Sequence, residues 1–375
     1  MRIGIDARIL GHPESGIAVY VINLIEQFLK HKDLEIVLFA DRPIYKEYLD
    51  TTNRVETVVF AQQHRKRWSQ FYLPGELKRH KIDIYHATWN SALPVFTRVP
   101  GVLTVHDLIP LVVSGYFKKF SRRFKYILSM RSAVKKAKII ITDAENTKND
   151  LIEYFKAPKD KIQPIHLGIT PAQLNKGPIE KKAVLDKFGI DRDYIVNIGS
   201  YDKRRNAEGL IRVFAKFLGS AGADCQLVLI GGYDNFRHQI NGFNALISEL
   251  GLEGRVIFTN YVSEDEKNIL FSGARMMAHL SLYEGFCLPV LEAMCLGVPV
   301  IASDRGSIPE IAGTAAVLVD PLDEPKAAAA VERLWRDADL KGDLVKKGAE
   351  RIKAFSWEDA ANRTLDCYRE ALGIR

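Results

Sequence analysis

The sequence predicts an α/β protein built from two doubly wound parallel sheets. The chain has 375 residues, more than one ordinary core holds and enough for two α/β domains. Short β-branched runs alternate with longer amphipathic stretches throughout. The runs are apolar without strict alternation, as parallel strands covered on both faces require. This rhythm is interrupted at 169–179, where Thr170, Pro171, Gly177 and Pro178 read as a linker between domains.

In the first half, strands are expected at Ile3–Asp6, Ile36–Phe39, Thr57–Phe60, Ile82–His86, Val102–His106 and Ile139–Thr142. In the second half they are expected at Tyr194–Ile198, Leu227–Ile230, Val256–Thr259, Met276–Leu280, Val298–Ile301 and Ala316–Val319. Helices fall between them, for example Ala18–Lys30 after Gly16 and Ala207–Leu218 after Asn206. The last segment, Trp357–Leu372, reads as a helix that follows a completed sheet. From pattern alone it is either a lid on its own domain or a return to the first.

Composition narrows the class. Hydrophobic residues at 47% and charged residues at 26% are the balance of a soluble globular chain. Met1–Asp6 is a short strand without the flank and long apolar core of a secretory leader, so none is expected. No apolar run approaches the roughly eighteen residues that cross a bilayer. The four cysteines (Cys225, Cys287, Cys295 and Cys367) lack C-x-x-C spacing, which argues for a reducing compartment and against structural zinc. A cytoplasmic protein is expected. Residues 1–170 hold 27 Lys and Arg against 17 Asp and Glu, whereas residues 171–375 hold 26 against 29. A basic first half suits an acidic ligand or surface, such as nucleic acid, an anionic membrane or a lipid phosphate, or else is a solvated face.

The most informative stretch is Ser281-Leu-Tyr-Glu-Gly-Phe-Cys-Leu-Pro-Val-Leu-Glu-Ala-Met-Cys-Leu-Gly297. It leaves a strand, turns through Gly285, starts a helix near Pro289 and ends it at Gly297. The backbone N–H groups of such a loop and helix start, at the carboxyl edge of a sheet, suit a phosphate. Beside a diphosphate, a carboxylate must bind something else. Vicinal hydroxyls fit, because an ionised carboxylate only accepts hydrogen bonds. Glu292 is therefore assigned to a ribose diol and Glu284 to the hydroxyls of a transferred sugar. The plain alternative is a solvated Glu284 and a Glu292 that favours the helix start.

This stretch resembles the E-x7-E signature of retaining GT-B glycosyltransferases of family 4. Other segments resemble the family in the expected order: Met1–Tyr20 with its Ser15-Gly16-Ile17-Ala18 turn, Val105-His106-Asp107-Leu108, Asn197–Asn206, Ile301–Gly313 and Phe355-Ser356-Trp357. The resemblance covers nearly the whole chain. It implies a GT-B fold, two Rossmann-like domains facing a central cleft. These are an acceptor-binding domain at 1–172 joined by a C-terminal helix at 357–375, and a nucleotide-sugar-binding domain at 178–356. It also implies hexose transfer by a front-face departure that retains anomeric configuration. Catalytic roles carry over to His106, Glu284, Arg204 and Arg205. Donor contacts carry over to Gly16, Ser200, Arg204, Arg205, Val262, Glu284, Gly285, Phe286, Cys287, Leu288 and Glu292. The chain departs from the family at Cys287, where glycine is usual, at Ala18-Val19 in place of Gly-Arg, and at Arg205 in place of lysine.

Two guanidinium groups can neutralise a departing diphosphate without a metal, and no D-x-D motif stands at a strand end. No metal or other cofactor is expected; the nucleotide sugar is a substrate. A solvated turn is the plain reading of Lys203-Arg204-Arg205, and a satisfied strand-end histidine that of His106. Tyr116–Lys138 holds nine basic residues and no acidic one, with Phe117, Phe120, Phe124, Ile127 and Leu128 at helical spacing. That pattern suits an anionic membrane surface, or a domain helix whose aromatic stripe faces the core. His64–Tyr72 repeats it. The expected partners are a nucleotide diphosphate sugar, a lipid-linked glycan acceptor and the inner face of the membrane. No nucleic-acid module accompanies the basic half. GDP-mannose is the preferred donor and UDP-glucose or another UDP-sugar the alternative. A sugar-nucleotide epimerase on the same fold and an inactive partner subunit are the rival readings.

Overall fold

The computed structural model describes residues 1–11, 15–44, 54–60, 68–90, 93–117, 119–170, 180–232 and 236–374. The linker residues Pro171, Gly177 and Pro178, Lys118 of the basic segment and 64–67 of the second basic run lie outside the described residues. The chain divides into two compact units, Met1–Gly168 with Ser356–Arg375, and Ile169–Phe355.

Among the described residues the first unit has seven parallel strands, in chain order β1 Arg2–Asp6, β2 Glu35–Ala40, β3 Val55–Val59, β4 Ile84–Ala87, β5 Gly101–Val105, β6 Ile139–Thr142 and β7 Ile162–Pro164. Their spatial order is β3-β2-β1-β4-β5-β6-β7, so the winding reverses between β1 and β4. The second unit has six: β8 Asp193–Ile198, β9 Cys225–Ile230, β10 Val256–Asn260, β11 Met276–His279, β12 Val300–Ser303 and β13 Ala316–Val319. Their order, β10-β9-β8-β11-β12-β13, reverses between β8 and β11. Every strand expected from the sequence is present within two residues of its expected ends. β7 was not expected. It has three residues and closes on Pro164, which lacks an N–H and is tolerated because the strand lies at a sheet edge.

The helices that matter below are α1 Gly16–Phe28, α2 Phe120–Lys136, α3 Ala207–Ala221, α4 Glu264–Ser272, α5 Leu288–Cys295 and α6 Trp357–Leu372. Each sheet is packed by a stripe of helical side chains. Met130, Ala133 and Val134 of α2 join Leu103 and Val105 in one core. Phe214 and Phe217 of α3 join Leu227, Leu229 and Met276 in the other.

The C-terminal helix α6 belongs to the first unit. A Cβ on Gly168 would lie 2.2 Å from the Trp357 nitrogen, so the chain returns against a residue that must be glycine. Farther along α6, fully buried Tyr368 is tied to the sheet by polar groups. Tyr20 Oη pairs with Thr104 Oγ1 at 3.0 Å, Thr104 Oγ1 with His86 Nε2 at 2.7 Å, and His86 Nδ1 with Tyr368 Oη at 2.6 Å. Burial first, and His106 second, push the His86 pKa down to about 3, so this ring is neutral. The stabilisation from this neutral ring is complete above about 6.5 and is lost as pH falls toward that lower value. Tyr368→Phe removes a partner from a buried imidazole nitrogen. It is expected to destabilise by about 1–3 kcal/mol, read as a lower melting temperature by differential scanning calorimetry.

Candidate active site

The second unit gathers most of the expected residues at the carboxyl edge of its sheet, where the winding reverses. After β8 the chain passes through Gly199 and Ser200 into a short turn, Lys203–Arg205. Asp202 organises that turn: Oδ1 accepts from the Arg204 N–H at 3.1 Å and Oδ2 from Ser200 Oγ at 2.5 Å. Asn206 closes it in the left-handed region at φ 54° and donates to the carbonyls of Leu280 and Pro321 at 3.1 and 3.2 Å. The Leu282 N–H donates to the Arg204 carbonyl at 2.7 Å. These bonds fasten the turn after β8 to the loop after β11.

Glu284 stands on that loop, 5% exposed. Arg204 Nη1 donates to its Oε2 at 2.8 Å, and Arg205 Nη1 donates to its Oε1. His279 Nε2 lies 3.2 Å from the same Oε1. Asn197 Nδ2 is oriented by the Ala278 carbonyl at 2.6 Å and faces His279 Nδ1 at 3.4 Å. His279 Nε2 also lies 3.0 Å from Ser281 Oγ and 3.2 Å from Arg205 Nη1, so it sits between the carboxylate and a guanidinium. Burial opposes the charge of Glu284, but Arg205, Arg204 and His279 outweigh it and hold the carboxyl far below the usual carboxylate range. Burial lowers the His279 pKa, and the two arginines reinforce that against Glu284, so the ring stays neutral. From behind, Ser307 Oγ and the Ser307 N–H donate to the Glu284 carbonyl at 3.0 and 3.2 Å. Gly306, at φ +62°, leaves no room for a Cβ, which would meet Glu284 O at 2.8 Å.

The loop continues through buried Gly285 and Phe286, whose ring packs edge-on to Phe355 at 5.9 Å. Cys287 keeps φ +84° without being glycine and precedes α5, where Leu288 is half-buried and Pro289 occupies the first turn. His279, Glu284 and Cys287 bring ligand atoms within 4.8 Å of one another. Burial pushes the Cys287 thiol far up, so it stays protonated, and two guanidinium groups already supply positive charge to the carboxylate. That donor set does not suit a cation.

One turn into α5, half-buried Glu292 accepts from Lys267 Nζ at 3.0 Å, and the same ammonium holds Glu264 Oε2 at 2.7 Å. Burial works against the Lys267 charge, but Glu292 and Glu264 prevail and raise its pKa. Lys267 lies on α4, directly after half-buried Val262 and the Ser263–Glu266 capping box. The sequence reading missed Lys267, His279 and Ser307. His279 hides in an apolar strand, and Lys267 is 25 residues from its carboxylate partner in sequence.

Gly16 and His106 belong to the first unit. Gly16 opens α1 under a Ser15 cap, Ser15 Oγ accepting from the Ala18 N–H at 3.1 Å, and among the described residues nothing lies within 4 Å of where its Cβ would be. His106 follows β5 and is buried, with its ring edge-on to Tyr20 at 5.1 Å. α2 is buried toward one end and exposed toward the other. Its C-terminal half buries Met130, Ala133 and Val134, while Phe120 is 80% exposed, Phe124 52% and Leu128 48%. Arg122, Arg123, Lys125 and Arg131 are exposed beside them.

The left-handed backbone at Cys287 generates a prediction. A β-branched side chain is an outlier there, so Cys287→Val is expected to destabilise by roughly 1–3 kcal/mol. Cys287→Gly is expected to fold with little change. Urea denaturation of the two variants checks the order.

The description "Glycosyl transferases group 1" matches residues 180–351, and "Glycosyltransferase Family 4" matches residues 15–173. The chain is 25% identical to the O-antigen chain mannosyltransferase B of Escherichia coli, covering 98% of this chain and all of that one. Among solved structures, the sucrose-phosphate synthase of Thermosynechococcus elongatus superposes with a TM-score of 0.80 at 20% identity, covering 100% of this chain and 99% of that one. Anabaena HepE in complex with UDP and glucose does so with a TM-score of 0.80 at 17% identity, covering 99% and 100%. Two parallel sheets wound in this order, with these matches across both units, make the chain a GT-B glycosyltransferase of family 4.

Proposed function

We propose that the protein transfers mannose from GDP-mannose, with retention of configuration and without a metal, to a lipid-linked or polysaccharide acceptor. The observation that carries this reading is the pair of guanidinium groups held by one buried carboxylate at the carboxyl edge of the second sheet. Glu284 fixes Arg204 and Arg205 through one N–H of each, and a guanidinium carries five such donors in a fork that suits a diphosphate. As the bond from sugar C1 to the diphosphate oxygen breaks, negative charge grows where those groups stand. The acceptor oxygen bonds to C1 on the same face, and its proton leaves on the diphosphate. Glu292 accepts the ribose hydroxyls, with Lys267 keeping its carboxylate oriented. Ser200, Val262, Gly285, Phe286, Cys287 and Leu288 line the donor path in the second unit.

The E. coli relative named a mannosyltransferase supports mannose. The Anabaena structure in complex with UDP and glucose supports the second reading, a UDP-sugar donor. Calorimetric titration with GDP, UDP and ADP separates them. Glu292→Ala is expected to weaken nucleotide binding at least tenfold, since charged hydrogen bonds contribute about 1.5–3 kcal/mol each. Equal affinity for variant and parent sinks the ribose assignment.

In this reading the acceptor lies at an anionic, cytoplasmic membrane face. No helix among the described residues is long and apolar enough to cross a membrane, but the exposed half of α2 presents aromatic and basic side chains together. Each basic residue near such a surface adds about 1 kcal/mol before screening. Sedimentation with vesicles containing phosphatidylglycerol is expected to exceed that with phosphatidylcholine alone. It is expected to fall several-fold when Phe120 and Phe124 become Ser. Indifference to lipid charge removes the membrane from the reading.

A further inference from the structure

Both ring nitrogens of His106 face atoms that only accept hydrogen bonds. Nδ1 lies 2.7 Å from Asp143 Oδ2, and Nε2 lies 2.9 Å from the Thr88 carbonyl oxygen. An ionised carboxylate and a carbonyl have no hydrogen to offer, so each nitrogen must carry one itself. We propose that His106 operates as a buried imidazolium positioned by Asp143, and that it takes no proton from the acceptor hydroxyl. The catalytic consequence rests on the transferase reading; the protonation does not.

The surroundings agree. Asp143 is 3% exposed and His106 7%. Burial opposes the ring's charge, but the Asp143 charge and hydrogen bond, the Thr88 bond and Asp107 outweigh it and raise the pKa. Among the described residues, the other titratable groups against the ring are His86, which is neutral, and Tyr20, whose hydroxyl burial pushes well up. The Thr147 hydroxyl, on the next helix, donates to the His106 carbonyl at 3.4 Å.

The imidazolium is the central link of a line across the carboxyl edge of the first sheet. Arg8 forks onto Asp6, at the end of β1, at 2.9 and 2.6 Å. Thr88 Oγ1, just past β4, donates to the Asp6 carbonyl at 2.6 Å. His106, just past β5, joins Thr88 to Asp143, just past β6. A neutral ring bonded to Asp143 through Nδ1–H would turn the Nε2 lone pair toward the Thr88 oxygen. The line would break at its middle. In Asp143→Asn the amide oxygen can still accept from Nδ1, but the charge that keeps the second proton is gone. Acid can put that proton back.

The test is a pH titration of the histidine ring signals by NMR, on 15N- and 13C-histidine-labelled protein, with His106→Gln used to assign the resonance. In the parent at pH 7.5, His106 is expected with both nitrogens protonated. In Asp143→Asn it is expected neutral there, protonating only below roughly 6.5. GDP release from GDP-mannose supplies the second readout. Asp143→Asn is expected to turn over roughly tenfold more slowly at pH 7.5, with KM for GDP-mannose unchanged and the rate regained only as pH falls well below the ordinary histidine value. A merely structural aspartate gives no recovery in acid. A neutral His106 in the parent overturns the proposal, as does a variant whose pH optimum does not move. The ring signals of the parent decide the protonation even where GDP-mannose proves the wrong donor or the variant fails to fold.

Discussion

The second unit is organised around one electrostatic constraint: the Glu284 carboxylate is buried and must stay ionised. A charge taken out of water needs paired hydrogen bonds on both oxygens. Arg205 and His279 meet one oxygen, and Arg204 meets the other. The local geometry that looks irregular answers this demand. The left-handed Asn206 aims the two arginines, Gly306 lets the β12 loop close on the Glu284 backbone, and Ser307 takes up its carbonyl. Left-handed Cys287 turns the chain from that carboxylate into α5 at a conformational cost glycine would not carry.

The first unit solves a related problem differently. Its interior holds two polar strings instead of one clustered charge. The deeper string, Tyr20–Thr104–His86–Tyr368, is neutral and secures the returning α6. The shallower one runs from Arg8 to Asp143 through His106 and is charged. Two histidines, His86 in β4 and His106 just past neighbouring β5, are in opposite protonation states, because only one has a carboxylate beside it. The neutral one loses its stabilising contribution in acid. The charged one keeps its contribution below the ordinary histidine pKa and loses it as pH rises through its raised value.

The fold was legible because parallel strands and their covering helices leave a strong periodic trace. Even the ends of α6 fall where Ser356 and Gly373 mark them. β7 was not legible, since three residues closing on Pro164 carry no period. At the site, the residues found were those in contiguous motifs: Arg204, Arg205, Glu284 and Glu292. Those missed act through space. Asp143 is paired 37 residues from His106 and Lys267 25 residues from Glu292, and neither spacing leaves a mark in a single sequence. The histidine at 106 was legible as a position, but its protonation depends on a neighbour that only folding supplies.

Pairing each acid with a base in the free protein has a consequence for how the donor is met. Glu284 holds its arginines at fixed positions before any diphosphate arrives, so the reorganisation that water would demand is already done. The carboxylate takes one N–H of each guanidinium, and removing it would leave two mutually repelling cations where the proposed reading puts the leaving group. Lys267 constrains Glu292 in the same manner from α4, a helix whose start follows Val262, two residues past β10. A ribose seated against Glu292 would therefore meet a carboxylate that is oriented but only half spent. The charge arrangement is built by the protein for itself and completed by the ligand.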